Sequence, residues 1–101
     1  MLFRSPDCIP PDECLLLGDL HETLDGAGAV IGVKAVLAHV DIGSGDPAAN
    51  AELAAFLAPR LNRLMAPGGI VVSDQDLGIA EWQPVALPPG VREGRYFMRR
   101  V

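Results

Sequence analysis

The segment that most constrains the fold of this chain is residues 64–74, which read Leu-Met-Ala-Pro-Gly-Gly-Ile-Val-Val-Ser-Asp. Proline cannot continue a helix, and paired glycines permit a tight reversal, so a helix is expected to end here. The β-branched run at residues 70–72 has no polar alternation, which is typical of a strand buried on both faces of a parallel sheet. Asp74 follows at its carboxyl end, where open α/β sheets place their ligands.

Upstream of this turn, the sequence predicts a long helix that follows another buried strand. Residues 35–40 are an apolar run that ends at Asp41 and a flexible glycine-rich turn. Asp46 and Pro47 combine a capping side chain with proline at the first helical position, which indicates a helix start. Pro59 is expected to kink this helix or divide it in two. Four leucines at helical spacing mark its buried face: Leu53, Leu57, Leu61 and Leu64.

The first quarter of the chain predicts a loop, a strand and a short turn of helix. Residues 1–12 are rich in turn-forming residues and predict a loop. Residues 14–17 are a short apolar run that predicts a buried strand, in which Cys14 packs as a small hydrophobe. Residues 21–24 are expected to form one helical turn before Asp25 and Gly26, and a short helix is possible in the glycine-containing stretch that follows.

The last fifth of the chain predicts an antiparallel strand pair. Residues 82–87 and 96–101 are the two strands, and Pro-Pro-Gly at residues 88–90 separates them. Their aromatic residues are expected either to line a substrate pocket or to lie in the core: Trp82, Tyr96 and Phe97. Taken together, the order of elements predicts an α/β fold with a mostly parallel sheet and an antiparallel end.

Composition restricts the class of protein. The chain has 101 residues, half of them hydrophobic, which fits a single domain over residues 1–101. Thirteen acidic and eight basic residues give a net charge of −5, which argues against general binding to nucleic acid or to a membrane surface. Residues 82–101 are the exception, a basic tail with four arginines and one acid. This tail could neutralise an acidic neighbour, receive an anionic ligand, or form a solvated edge strand. Cys8 and Cys14 lack the spacing of a zinc site. No signal peptide or membrane-length apolar run is found, so a cytoplasmic location is expected.

The residues around the Pro-Gly-Gly turn resemble those of class I S-adenosylmethionine-dependent methyltransferases. Residues 64–74 are similar to the motif that precedes the fifth strand of that family, and residues 82–101 would supply the antiparallel hairpin that ends its sheet. Residues 16–19, Leu-Leu-Gly-Asp, resemble the end of its third strand. The resemblance implies that S-adenosyl-L-methionine is the cofactor, with Asp19 and Leu20 holding its adenosine. Asp19 is equally explained as a cap of the turn that follows.

A second register is possible. Residues 40–45 also resemble the glycine-rich first motif of the family, although Asp46 and Pro47 stand where the third glycine is expected. We favour the register in which residues 36–41 are the fourth strand. The fold is then Rossmann-like but lacks the first two strands, and one edge of the fourth strand is bare. A homo-oligomer is one way to cover that edge. Met1 is then a misplaced start, the boundary of a longer protein or a genuine truncation.

His39 and Asp41 are the candidate catalytic residues, because both lie near the end of the fourth strand. Histidine titrates near neutral pH, so His39 could serve as a general base or simply bond a backbone carbonyl. Asp41, with Asp74 and Gln75, is similar to the magnesium ligands of catechol-type methyltransferases, and oxygen ligands suit that ion. The alternative for Asp74 is a contact with loop backbone, so the metal question stays open.

The sequence is therefore compatible with two functions. The first is an S-adenosylmethionine-dependent methyltransferase, or its carboxyl-terminal portion, that transfers a methyl group to an unidentified acceptor. The second is a non-catalytic α/β module, or a subunit that needs another chain to complete the cofactor site. The absent glycine-rich loop favours the second for these 101 residues taken alone.

Overall fold

The structure is a computed structural model and describes residues 10–101. Most of the loop predicted for residues 1–12, and Cys8 with it, lies outside these residues. Contacts divide the chain into two units, one ending at Ile31 and the other spanning Gly32–Val101. The expectation of one domain over residues 1–101 stays a prediction. Within residues 10–101, no helix is both long and apolar enough to cross a membrane.

In the first unit, the predicted strand at residues 14–17 is wrong. A 3-10 turn at Asp12–Cys14 leads into non-regular backbone, Cys14 is exposed and Leu17 is 82% exposed. A strand needs a neighbour to pair its backbone N–H and C=O groups, and no described residue pairs with this segment. The apolar run alone therefore does not make a strand.

The same unit contains a longer helix than predicted. Helix α1 spans Leu20–Ile31, so the turn predicted at residues 21–24 and the short helix left possible after it form one helix, and the predicted break at Gly26 is wrong. A glycine inside a helix costs only about 1 kcal/mol relative to alanine, which is too little to end it at Gly26. The helix ends instead before Gly32, whose φ of +75° is the left-handed conformation usual just beyond a helix.

The second unit is an α/β unit built on a four-stranded sheet. Its elements are β1 (Ala35–Val40), α2 (Pro47–Leu64), β2 (Met65–Ser73), β3 (Gln83–Pro84) and β4 (Phe97–Arg100). The strand order is β1-β2-β4-β3. β1 and β2 are parallel, whereas β4 is antiparallel to both β2 and β3. The α/β class and the antiparallel carboxyl-terminal strand pair are thus confirmed. The two strands of that pair, β3 and β4, are shorter than predicted.

Helix α2 begins as predicted. The Asp46 side chain accepts hydrogen bonds from the backbone N–H groups of Ala48 and Ala49, at 3.0 and 3.2 Å. The buried face combines two of the predicted leucines with two alanines: Ala54, Leu57, Ala58 and Leu61. Pro59 does not divide the helix, which is continuous over 18 residues. Pro59 is exposed, whereas Ala58 and Leu61 on the opposite face are buried, so burial of that face offsets the loss of one backbone hydrogen bond.

The Pro-Gly-Gly turn is a bulge inside β2. The pairing steps from Ala35–Met65 to Leu37–Ile70, so five residues of β2 stand against two of β1. β2 therefore begins at Met65 and not, as predicted, at residue 70. Gly68 has a φ of +81°, and its N–H donates to the Val101 carbonyl at 2.8 Å. A Cβ on Gly69 would lie 3.0 Å from the Ala66 carbonyl oxygen, so any larger residue there would force the backbone to shift.

β1 forms one edge of the described sheet. It pairs only with β2, and Val36 and Leu37 are 71% and 64% exposed. Because successive strand residues point to opposite faces, both faces of β1 are open at this point. The prediction of a bare strand edge is confirmed, but the prediction that this strand is buried is wrong except at Val40.

Replacing Gly69 by alanine is expected to lower the free energy of unfolding by about 1–3 kcal/mol, because the new methyl group meets backbone oxygens of Ala66 and Val36 that cannot move independently of the sheet. Urea denaturation followed by circular dichroism measures the change. Gly45→Ala is the matched control, since nothing lies within 4 Å of a Cβ there and its φ is not positive. Equal stability of the two variants would contradict the proposed packing.

Candidate functional site

The candidate site lies where β1 and β2 end. Asp41 follows β1 and Asp74 follows β2, and the carboxyl ends of parallel strands meet at one edge of a sheet. β4 runs the other way, so the residues before it reach the same edge. A cavity of about 370 Å³ opens there, called here the edge cavity. Its lining residues are Asp41, Gly43, Asp74, Gln75, Gly94, Arg95 and Tyr96.

Asp74 joins the two strand ends. Its carboxylate accepts the Ile42 N–H at 3.1 Å and the Gly43 N–H at 2.7 Å, and its own N–H donates to the Val40 carbonyl at 3.1 Å. Burial raises the pKa of Asp74, but the hydrogen bonds from the backbone N–H groups of Ile42 and Gly43 outweigh it, so the pKa lies below the ordinary value of 3.8. The predicted contact of Asp74 with loop backbone is confirmed.

The glycine-rich turn is held at its other end by α2. The Ser44 N–H and hydroxyl both donate to the Asn50 Oδ1 atom, at 2.9 and 2.7 Å, and the Asn50 amide returns a bond to the Ser44 carbonyl at 3.0 Å. A Cβ on Gly43 would lie 2.5 Å from a carboxylate oxygen of Asp74. The turn predicted to be flexible is therefore tied down by hydrogen bonds, and Gly43 is needed for the approach of Asp74.

The structure separates the two predicted catalytic residues. Asp41 lines the edge cavity beside Asp74. His39 is exposed on β1, where it is in register with Val72, and it does not line the edge cavity. Their catalytic roles stay predictions.

Asp19 and Leu20 lie in the first unit, at the start of α1. Asp19 Oδ1 accepts the His21 N–H at 2.8 Å and lies 3.0 Å from His21 Nδ1, and neither contact uses Oδ2. The hydrogen bond from the His21 backbone is the main reason why the pKa of Asp19 is lowered. Leu20 is half-buried as the first residue of α1. The capping geometry is present, and the predicted contact of both residues with adenosine stays a prediction.

Arg95 and Tyr96 are site residues that the sequence did not assign to the edge cavity. The sequence places Tyr96 among the terminal aromatic residues that line a pocket or lie in the core. It places Arg95 only in the basic tail. The strand order could have predicted their position. Residues just before a strand that is antiparallel to β2 and next to it must lie at the carboxyl end of β2. Trp82 is core, because it is 5% exposed and its indole N–H donates to Asn62 Oδ1 at 3.0 Å.

Asp41, Asp74 and Gln75 do meet in the edge cavity, as the magnesium hypothesis requires. Each oxygen of Asp74 already accepts a backbone N–H, however. Within residues 10–101, no three His, Cys, Asp or Glu side chains are grouped as metal ligands. We therefore assign no step to a metal ion.

Asp74→Asn is expected to lower the free energy of unfolding at pH 7 by about 1 kcal/mol, because an amide can satisfy only one of the two N–H groups and the site is part-exposed to solvent. A carboxyl with a depressed pKa stabilises the fold above the unfolded pKa of 3.8. This stabilisation is lost as the pH falls through the lower folded value. The gap between wild type and variant should therefore close in acid. Urea denaturation over a pH series measures it, and Glu52→Gln, an exposed change in α2, should show no such trend.

Comparison with known proteins assigns the family. The chain is similar to an S-adenosyl-L-methionine methyl transferase from Silicibacter pomeroyi DSS-3, with 33% identity and a TM-score of 0.86. The match covers 100% of this chain and 62% of that chain, so this chain spans less than two thirds of that protein. No curated protein matches. A family model described as S-adenosyl-L-methionine methyltransferase matches residues 1–101, and the chain therefore belongs to that family.

Proposed function

We propose that this chain forms the carboxyl-terminal part of an S-adenosyl-L-methionine-dependent methyltransferase and carries the edge at which the methyl acceptor is bound. The family match over residues 1–101 carries this proposal. The edge cavity supports it, since it lies at the carboxyl ends of β1 and β2 and is lined by polar side chains. The acceptor is not identified by the family.

The residues present fit the cofactor by charge. When bound, S-adenosyl-L-methionine supplies an electrophilic methyl group on a positively charged sulfonium. Asp41 and Asp74 give the edge cavity two carboxylates, which favour a cation nearby. Considered by itself, the first unit offers Asp19 Oδ2, which the capping contacts do not use, as an acceptor for an exocyclic amine. Leu20 offers backbone beside it.

We assign to Asp41 the role of accepting the proton that the O–H or N–H group of the methyl acceptor loses. Asp41 lines the edge cavity, whereas His39, the second candidate, does not. Asp74 acts differently, because its oxygens are committed to the N–H groups of Ile42 and Gly43 and fix the backbone next to Asp41. Holding a carboxylate in place before the acceptor arrives lowers the entropic part of the barrier. Asp74 is therefore a positioning residue.

A second candidate function is supported by the open edge of β1. Val36 and Leu37 are exposed on opposite faces of a strand that, within residues 10–101, pairs on one side only. The match to the longer methyl transferase covers only 62% of that chain. On this alternative, residues 1–101 bind cofactor only after further polypeptide completes the sheet next to β1.

Calorimetric titration of the folded chain with S-adenosyl-L-methionine, which carries the positively charged sulfonium, tests the proposal. We expect binding that Asp41→Asn weakens about tenfold, equivalent to about 1.4 kcal/mol, because a charged partner of the ligand is removed. Glu52→Gln is the control, since Glu52 is an exposed acid of α2 outside the edge cavity. No heat from a sample that circular dichroism shows to be folded would remove autonomous binding and favour the second candidate.

A further inference from the structure

We propose that the edge cavity takes a methyl acceptor that carries an oxyanion, a carboxylate or a phosphate, which Arg95 binds while Asp41 faces the nucleophile. This inference rests on the proposed function and names the substrate class of the same site. Three observations carry it: Arg95, Asp41 and Tyr96 all line the edge cavity, no ion pair within residues 10–101 includes Arg95, and the Arg95 guanidinium lies near the Tyr96 ring.

Arg95 brings the positive charge to the edge cavity. It is the one cationic residue among those that line it. Although Asp41 and Asp74 line the same space, neither forms an ion pair with Arg95, because within residues 10–101 the sole N–O contact within 4.0 Å between opposite charges joins His21 and Asp19. Arg95 thus lines the edge cavity without an ion pair to a carboxylate of residues 10–101, which suits an anionic ligand.

The other arginines of β4 are used by the fold. Arg99 Nη1 donates to the Met98 carbonyl at 3.1 Å, and Arg100 Nη1 donates to the Gly68 carbonyl at 3.3 Å. Neither of them lines the edge cavity. Arg99 and Arg100 are thus bonded to backbone carbonyls and Arg92 lies outside the edge cavity, so Arg95 is the arginine of this segment whose charge is left for a ligand there.

Tyr96 and Asp41 define the rest of the acceptor. The Arg95 guanidinium lies 5.9 Å from the centre of the Tyr96 ring, and that ring also lines the edge cavity. A flat acceptor can pack on Tyr96 with its anion at Arg95. Its hydroxyl or amine then reaches Asp41, more than 4.0 Å from the guanidinium.

The chemistry of transfer balances with these groups. The O–H or N–H bond of the acceptor breaks and its proton goes to the Asp41 carboxylate. The freed lone pair forms the new bond to the methyl carbon of the sulfonium cofactor. The electron pair of the broken carbon–sulfur bond stays on sulfur, which becomes a neutral thioether.

The test uses 4-hydroxybenzoate, 4-hydroxyphenyl phosphate and the uncharged methyl 4-hydroxybenzoate, each titrated into the full chain without cofactor and followed by NMR. We expect at least one anion to bind tenfold more tightly than the ester. Arg95→Ala should remove that preference, and Arg95→Lys should keep part of it. Arg92→Ala is the matched control, because Arg92 is an exposed arginine outside the edge cavity. The inference is overturned if both anions bind no better than the ester, or if Arg92→Ala has the same effect as Arg95→Ala.

A second pair of ligands separates the acceptor from the cofactor as the source of the anion. S-adenosylhomocysteine has a carboxylate and 5′-methylthioadenosine does not. Arg95→Ala could weaken S-adenosylhomocysteine while leaving 5′-methylthioadenosine and the aromatic anions unchanged. In that case the anion that Arg95 binds is the carboxylate of the cofactor, and the inference fails. Failure of the proposed function looks different: the wild-type chain would bind an aromatic anion through Arg95 but neither adenosyl ligand.

Discussion

The hydrogen bonds of one carboxylate hold the candidate site together. Asp74 stands just beyond β2 and accepts the N–H groups of Ile42 and Gly43, just beyond β1. Its own N–H extends the pairing of the two strands to Val40. Since parallel strands have no tight turn to fix their ends, this contact sets where the chain leaves β1. The position of Asp41, and with it one wall of the edge cavity, follows from it.

The strand order decides between the two registers that the sequence allowed. If residues 40–45 were the glycine-rich first motif, the Pro-Gly-Gly segment would precede the second strand and the sheet would be unfinished. Instead β2 lies between parallel β1 and antiparallel β4, and β4 pairs with β3 at the far end. An antiparallel hairpin beside this strand is the end of the family's sheet. The glycine at position 43 serves Asp74, as its close approach shows.

The accuracy of the sequence predictions varied with how local the determining interaction is. The start of α2 was predictable because Asp46 bonds N–H groups two and three residues away. The strand at residues 14–17 was not, because an apolar run becomes a strand only beside a partner, and no described residue provides one. The bulge at Gly68 was read only as a turn, since its bonds to Val101 lie outside any local pattern.

The candidate site follows the same rule. Asp41 and Asp74 could be placed from the sequence because each directly follows an apolar run that forms a strand. Arg95 could not, because its place depends on β4 being inserted antiparallel next to β2, and because a net charge of −5 describes the whole chain and not one cavity. Local charge differs from the average here: two carboxylates and one guanidinium share about 370 Å³ without an ion pair between them. Asp74 is occupied by backbone, so Asp41 and Arg95 remain as a separated pair of opposite charges. Such a pair favours a ligand that is itself polar at both ends, which net charge alone would never indicate.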